Sequence, residues 1–177
     1  LKDCIEKALA AMSAALKKTE EGLRVQSLCY SIREMNVGDR VPDFTLPTPN
    51  GKEVNFYSFL KGKKCVILDF WASWCVWCRK ESPNVRKVFD TYKAKGVDVI
   101  SVSFDTNRDQ WVKAIAEDDT PWTQVSDLKS TDEGYLYKWY GLQGIPAIFL
   151  IDAQGRIIAK GMRGAAIEEN VKKFLNK

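Results

Sequence analysis

Hydrophobic residues at the start of the chain recur with a helical spacing of three or four positions. The positions that carry this pattern are Ile5, Leu9, Met12, Leu16, Leu28, Ile32 and Met35. Gly22 is expected to interrupt it, because glycine weakens a helix interior, and this predicts one kinked helix or two shorter ones. We expect residues 1–36 to form a helical extension that packs on its own domain or on a neighbour. A partner or dimer surface is the alternative.

From residue 37 onwards the pattern changes to short apolar runs that alternate with amphipathic segments. The segment 37–42 has the composition of a linker, so the main domain is expected to span 37–177. Strands are predicted at 43–46, 53–56, 64–71, 97–104, 147–151 and 156–160, and helices at 75–95, 108–117, 131–140 and 168–175. This order predicts an α/β domain in which helices cover both faces of a central sheet.

Composition narrows the classes of function. The chain has 45% hydrophobic and 28% charged residues, which is typical of a globular domain and excludes a disordered chain. The net charge of +4 is too small and too dispersed to indicate nucleic-acid binding, and no apolar run approaches the roughly 20 residues that span a bilayer. The chain contains no histidine, which excludes Ser-His and Cys-His catalysis and metal sites ligated by histidine.

Among the five cysteines, only Cys75 and Cys78 are close in sequence, as a C-x-x-C motif that follows an apolar strand and opens a helix. Residues three apart on a helix lie on one face, so a small adjustment lets the two sulfurs bond. The positive end of the helix dipole stabilises a thiolate at Cys75. We therefore predict Cys75 as the attacking nucleophile and Cys78 as the thiol that resolves the mixed disulfide.

Two other interpretations of the C-x-x-C motif are weaker. A zinc site needs four ligands, and the chain offers neither histidine nor a second C-x-x-C motif. A structural disulfide across so short a loop would contribute little stability. Cys4, Cys29 and Cys65 are predicted to be structural, with Cys65 acting as a small apolar residue in a buried strand.

Three groups of motifs lie in order along the chain. They are Gly38-Asp39 with Pro42-Asp43-Phe44; Asp69-Phe70-Trp71-Ala72-Ser73-Trp74-Cys75; and Gly144-Ile145-Pro146 with Phe149-Leu150-Ile151-Asp152 and Gly155. With these motifs, residues 37–177 resemble the thioredoxin-like thiol–disulfide oxidoreductases that include TlpA and ResA, and the forms common in Bacteroidetes. The resemblance implies a thioredoxin-like fold with a central mixed sheet.

The resemblance also implies the activity and its setting. It implies reduction of protein disulfides by the Cys75/Cys78 pair, with no metal, no cofactor beyond that redox-active disulfide, and an upstream thiol as electron donor. It implies an extracytoplasmic address, periplasmic or anchored to a membrane. Because the chain opens at Leu1 and not at Met, we expect a processed or truncated product whose targeting segment or anchor lies outside this sequence.

Four further site residues follow from the resemblance. Pro146 corresponds to the cis-proline that faces the C-x-x-C motif, so the backbone of Ile145 would pair with an extended substrate; a trans proline that merely opens a strand is the alternative. Asp69 corresponds to a buried aspartate that accepts the proton of Cys78, and Glu81 to a glutamate that adjusts the cysteine pair. Carrying both acids departs from many ResA-like members, and we favour Asp69 with Glu81 as a helper.

Two tryptophans flank the cysteines. Trp74 is the flanking tryptophan of the family and is predicted to shield Cys75, with ordinary packing as the alternative. Trp77 stands where the family usually has proline, and is predicted to contact the substrate. Because the dipeptide between the cysteines helps to set the reduction potential, this departure weakens the inference that the protein is a reductant.

Three rival functions remain to be compared. The first is the same chemistry in the opposite direction, as a dithiol oxidase or isomerase. The second, a peroxiredoxin-like peroxidase, is disfavoured because Leu68 and Ala72 occupy the positions of the proline and threonine that precede a peroxidatic cysteine. The third is a peptide-binding module that uses the groove beside Pro146 without redox turnover.

Overall fold

The N-terminal extension forms two helices. The computed structural model describes residues 2–31 and 35–176. It contains α1 (Lys2–Ala11), a short 3-10 turn (Leu16–Lys18) and α2 (Glu20–Ser31). Of the two predicted forms, one kinked helix or two shorter helices, the structure has the second. The predicted position of the break is wrong, since Gly22 lies in the first turn of α2. Ile32, which belongs to the predicted pattern, lies outside the described residues.

The structure requires a glycine at position 22 because the backbone of the 3-10 turn packs closely there, and not because the helix breaks there. A Cβ atom at this position would lie 1.8 Å from the carbonyl oxygen of Leu16. The absence of a side chain therefore lets the 3-10 turn pack directly against α2. The helix starts because the hydroxyl of Thr19 accepts a hydrogen bond from the amide of Gly22 at 3.0 Å.

The main sheet has five strands in the order β5-β4-β3-β6-β7, and a separate hairpin pairs β1 with β2. The strands are β1 (Thr45–Pro47), β2 (Glu53–Asn55), β3 (Cys65–Trp71), β4 (Val97–Ser103), β5 (Thr123–Val125), β6 (Ala147–Asp152) and β7 (Ile157–Lys160). β4 is parallel to β3 and β5, whereas β6 is antiparallel to β3 and β7. The sheet is therefore mixed, as predicted.

The main domain also contains helices, which pack around the sheet. They are α3 (Phe56–Leu60), α4 (Val76–Tyr92), α5 (Arg108–Glu117), α6 (Tyr135–Trp139) and α7 (Ala165–Leu175). The predicted helix at 131–140 is shorter than expected because Gly134 has extended backbone angles and caps α6. Helix α7 starts three residues earlier than predicted, after Gly164. Strand β5 was not predicted, because three residues, two of them polar, carry too weak a pattern.

The extension packs on α6. The indole nitrogen of Trp139 donates a hydrogen bond to the hydroxyl of Ser27 at 2.8 Å, and the rings of Tyr30 and Trp139 lie 5.1 Å apart. These contacts agree with the interpretation of a helix packed on its own domain. The domain boundary at residue 36 and the alternative partner surface remain predictions.

Strand β3 lies in the middle of the sheet and contributes to both hydrophobic layers. Val66, Leu68 and Phe70 face one layer, and Cys65 and Ile67 face the other, as the alternation of a strand requires. All five are buried. Burial raises the pKa of the Cys65 thiol to about 12, so this cysteine stays protonated and acts as the apolar residue that the sequence predicts.

Two glycines with similar positive φ angles allow a test of the packing between the β6–β7 hairpin and Tyr57. Gly155 (φ +78°) closes the β6–β7 hairpin, where a Cβ would lie 2.5 Å from the hydroxyl of Tyr57, while Gly51 (φ +82°) has open space around it. We expect Gly155→Ala to lower the free energy of unfolding by about 2–5 kcal/mol, and Gly51→Ala by about 1–2 kcal/mol, since only the first adds a clash to backbone strain. Urea denaturation measures both losses, and equal losses would contradict this account.

Candidate active site

Cys75 lies at the point where β3 passes into α4. After β3 ends at Trp71, one turn leads to Cys75, whose amide donates to the carbonyl of Ala72 at 3.0 Å. Cys75 is the N-cap of α4, and its sulfur accepts a hydrogen bond from the amide of Cys78 at 3.1 Å. A disulfide joins Cys75 to Cys78, with the two Cα atoms 5.2 Å apart. The predicted redox pair is therefore formed within the first turn of a helix.

A buried carboxylate holds the turn before Cys75. The amide and hydroxyl of Ser73 both donate to Asp105, at 2.9 and 2.5 Å, and the hydroxyl of Ser103 donates to it at 2.6 Å. Asp105 is fully buried just beyond the end of β4. No local motif in the sequence marks Asp105, because its contact with Ser73 joins residues 32 positions apart.

The disulfide is buried, but three residues next to the two cysteines in the sequence are exposed and apolar. Cys75 and Cys78 are only 7% and 4% exposed, whereas Trp74, Val76 and Trp77 are 60–70% exposed. The ammonium of Lys80 lies 4.4 Å from the ring centre of Trp77. The exposure of Trp74 disagrees with the alternative of ordinary core packing. Three exposed apolar side chains therefore surround the redox pair.

Trp111 of α5 packs against the cysteines from the interior. It lies in one hydrophobic cluster with Trp71, Cys75 and Cys78 and is 2% exposed. Its indole N–H has no hydrogen-bond partner among the residues that the structure describes. This tryptophan was also missed, since the helical pattern of α5 marks it only as a core residue. Its position makes its fluorescence a probe of the redox state of the pair.

The loop before β6 completes the site. The Ile145–Pro146 peptide bond is cis, as the resemblance implies, and Ile145 packs against the cluster that contains both cysteines. A groove of about 480 Å³ runs beside Pro146 and is lined in part by Gly144, Phe149 and Arg163. The guanidinium of Arg163 donates to the carbonyl of Pro146. Arg163 was not predicted, because it is far from the motifs in sequence.

Asp69 lies in the middle of β3, directly opposite Ser101 of β4. The hydroxyl of Ser101 donates to its carboxylate at 2.9 Å. Desolvation raises the pKa of Asp69 to about 6, against the opposing effects of the Ser101 hydrogen bond and the charge of Arg163, while the charge of Glu81 raises it further. Glu81, whose charge acts on Asp69, follows Cys78 by three residues in α4.

Glu81 connects α4 to the beginning of α7. Its carboxylate accepts hydrogen bonds from the amide of Gly164 at 2.9 Å and from the side chain of Asn84 at 3.0 Å. It is partly buried, so it is not the solvated helix residue that a glutamate usually is. Arg79, next to Cys78, is bound to Asp118 and Glu117 of the α5 region, and two carboxylates thus compensate its charge.

The described ranges, 2–31 and 35–176, contain neither a metal-binding cluster nor a membrane-spanning helix. No group of three or more His, Cys, Asp or Glu side chains there could hold a metal ion. Within the same ranges, no helix has the length and apolar character needed to cross a bilayer.

Comparisons with known proteins agree with this geometry. The model of the AhpC/TSA family matches residues 37–160. The thiol-disulfide oxidoreductase ResA of Bacillus thuringiensis subsp. konkukian is 31% identical over 144 residues, which cover 81% of this chain and 79% of that protein. ResA of Bacillus subtilis is 30% identical over 156 residues, which cover 88% and 83%.

Two solved structures with the same fold come from Bacteroides species. The thioredoxin domain of a thiol-disulfide oxidoreductase from Bacteroides vulgatus superimposes with a TM-score of 0.74 at 37% identity, and covers 81% of this chain and 100% of that one. A thiol:disulfide interchange protein from Bacteroides sp. gives 0.73 at 36% identity, with coverage of 81% and 92%. The predicted thioredoxin-like fold is confirmed.

The raised pKa of Asp69 predicts a dependence of stability on pH. Because the folded state favours the protonated acid, the contribution of this acid is full below about pH 4 and is lost as the pH rises through about 6. We therefore expect oxidised Asp69→Asn to be more stable than the native protein at pH 7.5, by about 2–3 kcal/mol, and to lose this advantage near pH 4. Urea denaturation at both pH values measures the difference.

The exposed residue Asp132 supplies the control for that experiment. Asp132→Asn removes the same formal charge from the surface and should show no comparable gain at pH 7.5. An Asp69→Asn variant that is less stable than the native protein at pH 7.5 would contradict the account.

Proposed function

The chain belongs to the AhpC/TSA family and is a thiol–disulfide oxidoreductase, and from that premise we propose that it reduces disulfides of other proteins. In this proposal Cys75 is the attacking thiolate and Cys78 is the resolving thiol. The observation that carries the proposal is the hydrogen bond from the Cys78 amide to the Cys75 sulfur at the start of α4. In the reduced protein the same amide and the helix dipole would stabilise a thiolate at Cys75.

The reaction proceeds in two exchanges. The Cys75 thiolate attacks one sulfur of the client disulfide, forms a mixed disulfide and releases the other client sulfur as a thiolate, which takes a proton from water. Cys78 then gives up its proton and attacks the Cys75 sulfur. This step restores the Cys75–Cys78 disulfide and releases the second client sulfur, so two electrons have passed to the client. An upstream thiol donor reduces the pair again.

Asp69 is the proposed acceptor of the Cys78 proton. A group with a pKa of about 6 is largely ionised at neutral pH and can still exchange protons there. Glu81 is assigned a helping role, because its carboxylate already accepts one hydrogen bond from Asn84 within α4 and one from Gly164 at the start of α7. Its negative charge keeps the proton affinity of Asp69 high.

The client is proposed to lie across the groove beside Pro146. The backbone of Ile145 would pair with an extended segment of the client, and the exposed rings of Trp74 and Trp77 would contact its apolar side chains. Ile145 packs against the cluster that contains both cysteines, and Trp74 precedes Cys75 in the sequence. A client held in this way would bring its disulfide to Cys75.

We propose the same setting that the resemblance implies. The protein would act without metal or cofactor beyond its own disulfide, on a protein client and with a thiol donor, and in an extracytoplasmic compartment where disulfides persist. The extension of residues 1–36 packs on α6, and a contact with a partner or a second copy stays an alternative role for it.

A dithiol oxidase or isomerase is the second candidate, and Trp77 is the observation that favours it. The usual proline at this position is absent, and an exposed indole covers the first turn of α4 instead. We expect a reduction potential near −270 mV, similar to the reductant thioredoxin, and not near −120 mV, as in the oxidant DsbA. Equilibration with glutathione buffers, followed by tryptophan fluorescence, measures it. A value near −120 mV would favour the second candidate.

Two cysteine variants test the order of the steps. Cys75→Ala should reduce the exchange with a disulfide-bonded peptide to the background rate, because Cys78 lies inside the helix and lacks the N-cap position that stabilises a thiolate at Cys75. Cys78→Ala should still attack the peptide, but should accumulate the mixed disulfide at Cys75, because no thiol remains to resolve it. Mass spectrometry under non-reducing conditions detects this species.

Cys65→Ala serves as the matched control, since that thiol is buried in the sheet away from the site. It should preserve the exchange rate. A mixed disulfide that forms at Cys78 in the Cys75→Ala variant, at the native rate, would contradict the assigned order. Full biological activity of Cys75→Ala would instead favour the peptide-binding module, and fast turnover of hydrogen peroxide by the native protein would favour a peroxidase.

A further inference from the structure

Asp69 is the end of a short chain of hydrogen bonds that starts at Trp122. The indole nitrogen of Trp122 donates to the hydroxyl oxygen of Ser101 at 2.8 Å, and that hydroxyl donates to Asp69 at 2.9 Å. Ser101 and Trp122 are 1% and 6% exposed, so water does not replace these bonds easily. The three residues come from β3, β4 and the segment before β5, and the sheet register brings the first two opposite each other.

The donor and the acceptor in the hydrogen bond between Trp122 and Ser101 cannot be exchanged. An indole N–H can donate but cannot accept, so the hydroxyl oxygen of Ser101 must be the acceptor in its contact with Trp122. The single hydrogen of that hydroxyl then points to the oxygen that remains, which belongs to Asp69. With one lone pair of Ser101 occupied by Trp122, the Ser101 hydroxyl is oriented to donate to the ionised carboxylate.

We infer that Ser101 and Trp122 are positioning residues that hold Asp69 in its ionised form, and that they thereby set the pH range over which Cys78 can be deprotonated. The inference rests on the proposed function, in which Asp69 accepts the proton of Cys78. It adds the reason why a partly buried, desolvated carboxyl can still act as a base near neutral pH.

The balance of charges around Asp69 supports this role. Desolvation and the charge of Glu81, on α4, both favour the protonated acid, whereas Ser101 and the charge of Arg163, in the loop after β7, favour the carboxylate. Of the two groups that favour the carboxylate, Ser101 has the larger effect. A hydrogen bond from a hydroxyl stabilises the carboxylate more than the protonated acid, so its removal raises the pKa.

The same balance predicts what happens to the chemistry without the hydroxyl. At a pKa of about 6, most molecules carry an ionised Asp69 at pH 7. An upward shift of about one unit would leave about half of them protonated, and a protonated acid cannot accept the proton of Cys78. The second exchange would then need a higher pH to reach the same rate.

The first experiment measures the proton affinity of Asp69 directly. In the oxidised protein with ¹³C-labelled aspartate, we expect Ser101→Ala to raise the NMR titration midpoint of the Asp69 carboxyl by about one unit. Trp122→Phe keeps an aromatic ring against Phe89, whose ring centre lies 5.7 Å away, but removes the donor to Ser101. It should give a smaller rise in the same direction. An unchanged or lower midpoint in Ser101→Ala would overturn the inference.

Two further variants separate positioning from packing. Ser101→Thr retains the hydroxyl and should bring the midpoint back towards the native value. Ser126→Ala removes another buried hydroxyl of the same region, which donates to the carbonyl of Ser103 at 2.9 Å and does not contact Asp69. It should leave the midpoint in place. An equal rise in Ser126→Ala would assign the effect to loosened packing and overturn the inference.

The second experiment follows the exchange itself. The rate at which Cys78 resolves a mixed disulfide between Cys75 and an uncharged peptide should rise with pH, with a midpoint that moves up by about one unit in Ser101→Ala. A shifted NMR midpoint without a shifted rate profile would overturn the inference as a statement about exchange. Asp69→Asn then separates the causes. An unchanged profile in that variant means that Asp69 is not the proton acceptor of the proposed function, and a changed profile means that Asp69 acts without Ser101.

Discussion

The position of the Cys75 sulfur at the first free amides of α4 is the constraint on which the site depends. Its hydrogen bond from the Cys78 amide exists because Cys75 is the last residue before the helix and Cys78 lies one turn inside it. This difference in position makes two chemically identical thiols unequal. Both cysteines are buried in the same cluster, but only Cys75 lies at the positive end of the helix, while Cys78 lies inside it.

The rest of the structure serves to hold that geometry and to give a client access to it. The Asp105 carboxylate fixes the turn through Ser73, and Glu81 ties α4 to the start of α7. Around the buried disulfide, exposed Trp74 and Trp77 and the groove beside Pro146 leave a surface free for another chain. In β3, Asp69 supplies a carboxylate whose pKa is raised by desolvation and also depends on the Ser101 hydroxyl and on the charges of Arg163 and Glu81. The site thus combines a fixed interior with an open, apolar exterior.

The sequence predicted those parts of the molecule whose signal is local. A few neighbouring residues are enough to recognise the apolar run of β3, the C-x-x-C motif and the proline before β6. The fold and the cis geometry of Pro146 were predicted from the resemblance. Contacts between distant segments left no such signal. Ser101 is a polar residue within the apolar strand β4, which could have marked it as unusual, but only the β3–β4 register shows that it faces Asp69. The role of Gly22 was predicted wrongly for a similar reason. Its close contact with Leu16 depends on how the 3-10 turn packs against α2, which the sequence does not show.

The central claim is that helix position, and not cysteine chemistry alone, makes Cys75 the nucleophile. The most direct measurement is the rate of alkylation of each cysteine by iodoacetamide in the reduced protein as a function of pH, with the modified residue identified by peptide mass spectrometry. The account predicts that Cys75 reacts first, with a midpoint between about 3.5 and 7.5, and that Cys78 reacts only at higher pH. A midpoint near 8.5 for Cys75, the value of an ordinary free thiol, or earlier reaction of Cys78, would contradict it.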